Sequence, residues 1–323
     1  MNGSKRYAAP LLAAALVSSL IFPAAYAATS ADSSDELVSM PIAENQDCAT
    51  YEGVRMQGML HATDPDGGAL TYEIVEMPKK GTITLDEDNS AVFVYTPNAG
   101  KTGKDSFTFC VEDEDGNVSD PATVKMEILK GKTDVRYADM EDNAAHAASI
   151  RLAEEGVFTG RQVGGQYFFD PDTPVSRSEF LAMTMTAAGM DDLEDTQVTG
   201  FSDDASIPTW AKSYASEALS AGVITGKKDG NGVVFSADAP ITYSEAAAIL
   251  NRVMAITDVD TETFAGEVPA WAVQSVANLS SVNVLPGGTD YGAQIDRAAA
   301  AQMLCSAMDL MESRAGGPFD WLN

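Results

Sequence analysis

The chain is poor in the residues that most often carry catalysis and metal binding. Its 323 residues include three cysteines and only two histidines, His61 and His146, which stand far apart with no cysteine beside them. No H-E-x-x-H, G-x-S-x-G, P-loop or dinucleotide fingerprint occurs. We therefore expect neither an enzyme nor a bound metal or other cofactor.

Basic residues are also scarce. Lysine and arginine number 20 against 48 aspartates and glutamates, which gives a formal net charge of −28. A surface of this sign repels nucleic acid and anionic lipid. We expect no nucleic-acid partner, and the charge is consistent with solubility outside the cell.

A long apolar run occurs only at the N-terminus. Lys5 and Arg6 precede the apolar residues 8–22, and Ala25-Tyr26-Ala27 supplies an A-x-A cleavage site. This pattern predicts a secretory signal peptide over residues 1–27. An uncleaved anchor is the weaker interpretation because it needs a longer apolar span. Cleavage takes the formal charge from −28 to −30 and leaves a secreted chain without a membrane span.

Residues 28–36 are polar and predict a disordered leader, whereas residues 37–130 show the period-two alternation of strands. Phe107, Phe109 and Val111 share one face of such a run. Acidic or glycine-rich turns separate the runs, so short antiparallel strands in a β-sandwich of roughly a hundred residues are expected. The other alternating runs are 53–60, 70–75, 82–85, 91–95 and 123–128.

Four phrases give this region a family resemblance: D-P-D-G from Asp64, L-T-Y from Leu70, Y-T-P-N-A-G from Tyr95 and D-S-F-T-F from Asp105. They resemble the cadherin-like, bacterial immunoglobulin-like repeat. The resemblance implies an extracellular spacer or adhesive module. The acidic turns at 64–67 and 113–117 could suit Ca²⁺, but we interpret them as ordinary turns.

The three cysteines require separate interpretations. Cys110 is out of phase with its apolar neighbours and should point away from the sandwich core, and Cys48 is the other cysteine of that domain. An exposed thiol is a liability outside the cell, so a Cys48–Cys110 disulfide is the favoured interpretation. Two free thiols are the alternative. Cys305 stands among apolar residues and is expected in a core.

The second half of the chain, beyond a linker at 130–133, repeats itself. Residues 201–256 combine an acidic turn, an amphipathic helix, a glycine-containing loop and a second helix. Gly156–Gly160 matches Gly222–Gly226, and Val175–Phe180 matches Ile241–Ala246, both at an offset of 66 residues. A shorter third copy contains Trp271 and Ile295–Ala300.

These copies resemble the S-layer homology (SLH) module, over residues 137–311. The repeats are placed at 135–190, 198–257 and 262–312, with a C-terminal tail at 313–323. The resemblance implies an all-α bundle of helix-loop-helix prongs with pseudo-threefold symmetry, so the predicted fold is a multidomain chain of β-sandwich and helical bundle. It also implies noncovalent attachment to a secondary cell-wall polysaccharide, often pyruvylated, at a bacterial cell surface.

The second helix of each copy begins with capping residues followed by a first-turn arginine in two of the three copies. Arg177 and Arg297 place a positive charge at the positive end of the helix dipole, which is unfavourable by itself. An anion that docks at the helix N-terminus would explain these arginines. Replacing both with alanine should then abolish wall retention with little change in stability. Tyr243 takes this place in the middle copy. The predicted caps are Ser176 with Glu179, Thr242 with Glu245, and Asp296.

Tryptophans and glycines complete the candidate glycan-binding residues. Trp210 and Trp271 lead the first helices, and packing in the core is favoured over stacking on a sugar. Gly160 and Gly226 either let the backbone approach a ligand closely or allow the chain to turn. Because Ala144, Tyr243 and Ala299 replace signature residues, the alternative is a secreted adhesive or scaffold protein whose degenerate repeats are structural only.

Overall fold

A computed structural model describes residues 39–230, 232–261, 267–285 and 289–314. The predicted signal peptide, leader and most of the predicted tail lie outside these residues. The chain divides into two compact units, Met1–Lys130 and Gly131–Asn323. Within the described ranges, no helix combines the length and apolar character needed to cross a membrane.

The first unit is built from two β-sheets. One sheet has the strand order β2-β9-β8-β5, the other β3-β7-β6, and β1 pairs with β4. The strands are β1 (Ile42–Ala43), β2 (Gln46–Tyr51), β3 (Met56–Met59), β4 (Ala62–Thr63), β5 (Thr71–Glu76), β6 (Gly81–Leu85), β7 (Val92–Pro97), β8 (Gly103–Glu112) and β9 (Ala122–Leu129).

The core of this unit follows the alternation of its strands. Phe107, Phe109 and Val111 of β8 are buried, as the sequence predicted, and Phe93 of β7 packs edge-on against Phe107. One pairing differs from the expected antiparallel arrangement, because β2 runs parallel to β9. Parallel neighbours need a long connection, and the six intervening strands, which form most of the sandwich, supply it.

The predicted Cys48–Cys110 disulfide is wrong. Both cysteines are free thiols. Cys48 lies on β2 and is paired with Met126 of β9. On the other side of β9, Met126 is paired with Asp105 of β8. Cys110 stands five residues farther along β8, a separation of roughly 17 Å along the strand alone, far beyond disulfide reach. The number of cysteines in a domain does not fix the order of its strands.

The second unit contains six helices and two short hairpins within its described residues. A 3₁₀ turn at Asp204–Ser206 precedes α3. The helices are α1 (His146–Glu154), α2 (Arg177–Ala187), α3 (Thr209–Ser220), α4 (Tyr243–Met254), α5 (Val273–Ser281) and α6 (Arg297–Ser313). The hairpins are β10 (Arg161–Val163) with β11 (Gln166–Phe168), and β12 (Lys227–Asp229) with β13 (Gly232–Val234), where the sequence suggested only loops.

Helices pair across the copies of the repeat. The packed pairs are α2 with α3, α4 with α5, and α1 with α6, while α2, α4 and α6 also contact one another. The first helix of each copy therefore packs on the second helix of another copy, and α1 closes the set against α6. Each of the three second helices buries an apolar face, formed by Phe180 and Met183; Ala246, Ile249 and Leu250; Ala300, Met303 and Leu304.

A ring of three backbone hydrogen bonds brings the second helices together. Val175 N–H donates to the carbonyl of Ile295, Ile241 N–H to that of Val175, and Ile295 N–H to that of Ile241, each at 3.0 Å. All three residues are buried. Each stands two residues before its helix begins, so the first turns of α2, α4 and α6 lie side by side.

Candidate functional site

Each second helix begins against the loop of another copy, which creates three similar junctions. Junction A joins the start of α6 to residues 169–173, junction B joins the start of α2 to residues 235–239, and junction C joins the start of α4 to residues 291–293. The first two N–H groups of each helix donate to loop carbonyls at 2.9–3.1 Å. The pairs are Arg177 and Ser178 to Ala239 and Ala237; Tyr243 and Ser244 to Ala293 and Tyr291; Arg297 and Ala298 to Thr173 and Pro171.

The third N–H group of each helix is capped. Ser176 and Thr242 form capping boxes with Glu179 and Glu245, and the Asp296 carboxylate accepts from Ala299 N–H at 2.8 Å. The first three N–H groups of these described turns are therefore all used. The expectation that backbone N–H groups would bind an anion here is wrong, because neighbouring loops and caps already satisfy them.

Junction B gathers two cations around one carboxylate. Nη1 of Arg177 lies 3.1 Å from Oε2 of Glu245, and Lys227 pairs with Oε1 of the same carboxylate. The Arg177 and Glu245 side chains are each 11% exposed, whereas Lys227 is 49% exposed. Burial raises the pKa of Glu245, but the Lys227 hydrogen bond and the Arg177 charge outweigh burial and lower it.

The contact between Arg177 and Glu245 is electrostatic rather than a hydrogen bond. The two atoms are close enough for an ion pair, but their direction does not meet hydrogen-bond geometry. Nε and Nη1 of Arg177 are buried and have no hydrogen-bond partner among the described residues. Two of the three guanidinium nitrogens are therefore held in the fold without a hydrogen bond.

Junction A holds its arginine differently. Arg297 lies over the ring of Phe158 at 5.1 Å, donates from Nη1 to the carbonyl of Phe169 at 3.2 Å, and contacts the Asp170 carboxylate at 3.5 Å. Asp170 also accepts two hydrogen bonds from Arg161, from Nε at 2.6 Å and Nη2 at 2.8 Å. The hydrogen bond from Arg161 holds the pKa of Asp170 below its usual range.

Junction C has Tyr243 where the other junctions have arginine. Burial, and then the charge of Asp296, raise the pKa of this phenol. Tyr291 of the facing loop is also buried and lies 3.5 Å from the hydroxyl of Ser280. Junction C is thus lined by phenols, whereas junctions A and B carry guanidinium groups.

Comparisons with known families match one stretch in each half of the chain. The family description Bacterial Ig domain matches residues 39–127, and S-layer homology domain matches residues 200–247. The chain carries a bacterial Ig domain and an SLH domain. Both family resemblances are confirmed, the SLH resemblance for the middle copy, where the matched residues run from the acidic turn before α3 into α4.

A curated relative is the Surface-layer 125 kDa protein of Lysinibacillus sphaericus, 28% identical over 131 residues. The match covers 40% of this chain, and the chain spans only 11% of that relative. A mutant of the SrpA adhesin from Streptococcus sanguinis matches 37% of this chain and 79% of its own at 18% identity, with a TM-score of 0.25. An endo-fucoidan hydrolase, MfFcnA4, matches 30% of this chain and 14% of its own at 23% identity, with a TM-score of 0.24. Structural likeness this slight carries no functional argument.

The tryptophans at the start of the first helices in the second and third copies are exposed, which corrects the expectation that they pack in the core. Trp210 is 52% exposed and Trp271 is 60% exposed. Helix α3 buries a stripe of alanines, Ala211, Ala215 and Ala218, which lets it approach α2 closely. The spacing of these alanines is the signal that could have identified the buried stripe.

Gly160 and Gly226 are required by the backbone of their loops. Their φ angles are +73° and +71°. A Cβ atom would lie 2.3 Å from the carbonyl oxygen of Phe168 at Gly160, and 2.6 Å from a Val233 methyl at Gly226. Turning the chain is thus a sufficient explanation for both, and Gly287 lies outside the described residues.

Two aspartates position the loops of the junctions, and the sequence reasoning gave them no role. Asp139 accepts from the backbone N–H groups of Phe169 and Asp170, and Asp203 accepts from Phe235 and Ser236, at 2.7–3.0 Å. Asp170 and Ser236 both have positive φ, 54° and 59°. The shared Tyr/Phe-x-Asp pattern of the two copies was the available signal.

An acidic cleft lies beside junction A. Its volume is about 400 Å³, and its lining is Ala138, Asp139, Glu141, Asp142, Asn143, Pro171 and Asp172. Across the described residues, no three histidine, cysteine or acidic side chains converge as a metal site would require. The cleft is of the wrong charge to attract an acidic glycan.

Proposed function

We propose that this chain is a secreted bacterial cell-surface protein, held noncovalently to an acidic cell-wall polysaccharide by three SLH repeats around a pseudo-threefold axis. In this proposal the bacterial Ig domain is a spacer or adhesive module, and the protein is not an enzyme. The ring formed by Val175, Ile241 and Ile295 supports three equivalent repeats, because each contributes one donor and one acceptor.

The observation that carries the proposal is the exposure of Trp210 and Trp271. Both stand at the start of a first helix in successive copies, and each leaves more than half of its side chain in water. An apolar indole recurring on the surface at matching positions favours a ligand that covers it. The apolar face of a sugar ring is such a ligand.

Charge at junction B favours an acidic sugar. The unit is strongly acidic, yet Arg177 and Lys227 share a single carboxylate there, and Lys228 follows on the exposed hairpin. Nε and Nη1 of Arg177 are buried there without a hydrogen bond. A carboxylate on the polysaccharide, such as a pyruvyl group, would complement this guanidinium with charge-assisted hydrogen bonds.

The test is co-sedimentation of the chain from residue 28 onward with purified cell walls, before and after removal of their secondary polymer. Trp210→Ala with Trp271→Ala should weaken retention strongly, since truncating a binding tryptophan costs about 2 kcal/mol, or near thirtyfold. Val198→Ala, which changes another exposed apolar side chain, is the control. Normal retention of a folded double variant would reject the proposal.

Arg177→Ala is no longer a clean test, because the structure changes its expected effect on stability. The variant would leave the nearly buried Glu245 with Lys227 alone, so we expect a loss of roughly 1–3 kcal/mol in unfolding free energy. The earlier expectation of little change rested on the helix dipole alone. Arg177→Ala with Glu245→Gln removes both charges and is the better comparison.

A secreted scaffold with structural repeats remains the second candidate. The observation that favours it is that loops and caps consume the first N–H groups of α2, α4 and α6. In that case the parent protein would not sediment with either preparation of walls, although the second unit melts cooperatively.

A further inference from the structure

Junctions A and B are built from corresponding residues, but their loops differ in charge at one position. Arg161 and Lys227 are 66 residues apart on matching hairpins, and Asp170 and Ser236 are 66 residues apart in matching loops. The facing arginines are Arg297 in junction A and Arg177 in junction B. Junction A therefore has a carboxylate at the position where junction B has a hydroxyl group.

The Asp170 carboxylate is fixed between two guanidinium groups. It accepts from Arg161 at 2.6 and 2.8 Å and lies 3.5 Å from Nη1 of Arg297. Its backbone is held as well, since Asp170 N–H donates to Asp139 at 2.7 Å. The side chain thus takes the place and the charge that an acidic ligand would have.

Junction B keeps the same backbone without this carboxylate. Ser236 has a φ of 59°, and its N–H donates to Asp203 at 2.8 Å, as Asp170 does to Asp139. The carboxylate that reaches Arg177 is Glu245, which comes from α4 and also accepts from Thr242 N–H in its capping box. Nε and Nη1 of Arg177 are buried without a hydrogen bond, whereas Nη1 of Arg297 donates to both Phe169 and Asp170.

We propose that Asp170 is a built-in competitor that closes junction A to acidic glycan, so that the chain binds the polymer at junction B only. The inference rests on the proposed wall-binding function. It implies that the side chains at positions 170 and 236 determine which of the two junctions is open to acidic glycan. The low pKa of Asp170 keeps the competitor charged at neutral and mildly acidic pH.

The experiment exchanges the two residues and counts bound polymer. The probe is soluble secondary polymer released from the walls and cut to short fragments, titrated calorimetrically into the chain from residue 28 onward. The parent should bind one fragment, and Asp170→Ser should bind two. Ser236→Asp should bind at least about tenfold more weakly, the loss expected for one charge-assisted hydrogen bond.

The double exchange, Asp170→Ser with Ser236→Asp, is the matched control. It restores the composition of the parent and should move the single binding event from junction B to junction A, recovering a stoichiometry of one. Each residue already adopts the required positive φ in its own copy, so the backbone accepts both substitutions. Thermal melting checks that each variant is folded.

The outcomes separate this inference from the function on which it rests. If the parent binds but folded Asp170→Ser still binds one fragment with unchanged affinity, Asp170 is not a competitor, and wall binding stands. If folded Ser236→Asp binds like the parent, junction B is not the site, and the inference falls. If the parent binds neither walls nor fragments, both proposals are wrong.

Discussion

Arg151 should determine how firmly α1 holds to α6. Its Nη1 pairs with Asp309 and its Nη2 lies 3.0 Å from Glu312, and the side chain is 12% exposed. Both carboxylates are about half exposed, so each pair is worth about 0.2–1 kcal/mol. Arg151→Met keeps the apolar stem and should cost about 1.5 kcal/mol in unfolding free energy. Arg151→Ala, which also loses the stem, should cost more.

For a unit of this size the loss corresponds to a fall of about 3–6 °C in Tm. The assay is thermal melting followed by helical circular dichroism, at low and high salt. The difference from the parent should shrink as salt screens the ion pairs. Lys228→Met removes one exposed cation from the hairpin and is the control for net charge. If Arg151→Met melts like Lys228→Met, ion pairing does not secure α1 to α6.

Two further predictions concern protonation and thiol reactivity. Burial, followed by the charge of Arg136, lowers the pKa of His146. As the pH falls, the unfolded chain therefore binds this proton at a higher pH than the folded chain does. The free energy of unfolding of the second unit should therefore keep its full contribution from His146 above pH 6.5 and lose it as the pH drops below that value. In chemical denaturation at several pH values, His146→Leu should show a smaller fall than the parent. Alkylation of the native protein should modify Cys110 before Cys48, whose pKa burial raises to about 11, and spare Cys305 until unfolding. Mass spectrometry that finds Cys48 joined to Cys110 would overturn the strand order.

Local patterns in the sequence predicted local structure well. Phe107, Phe109 and Val111 alternate because one face of β8 is buried, and Ser176 and Thr242 cap helices because a hydroxyl three residues before a glutamate satisfies helix N–H groups. The 66-residue offset located matching loops because each loop reuses the same turn chemistry.

Partners distant in the chain could not be predicted in the same way. Arg177 meets Glu245 and Arg297 meets Asp170, and no spacing rule links residues that far apart. The exposure of Trp210 was missed because an alanine stripe one position later has the same helical period. The Cys48–Cys110 pairing failed because the position of β9 between the two strands is a property of the sheet.

The packing of α1 on α6 has a consequence for how the second unit is made. A chain is synthesised from its N-terminus, and α1 is the first of the described helices of its unit to appear. Its buried side chains, among them Ile150 and Leu152, have no α6 to cover them until the last repeat has followed. Contacts between the two ends of a sequence slow folding and leave apolar surface open to aggregation in the meantime. Folding of this unit therefore waits for its final helix, and a chain interrupted before α6 would expose the apolar side of α1.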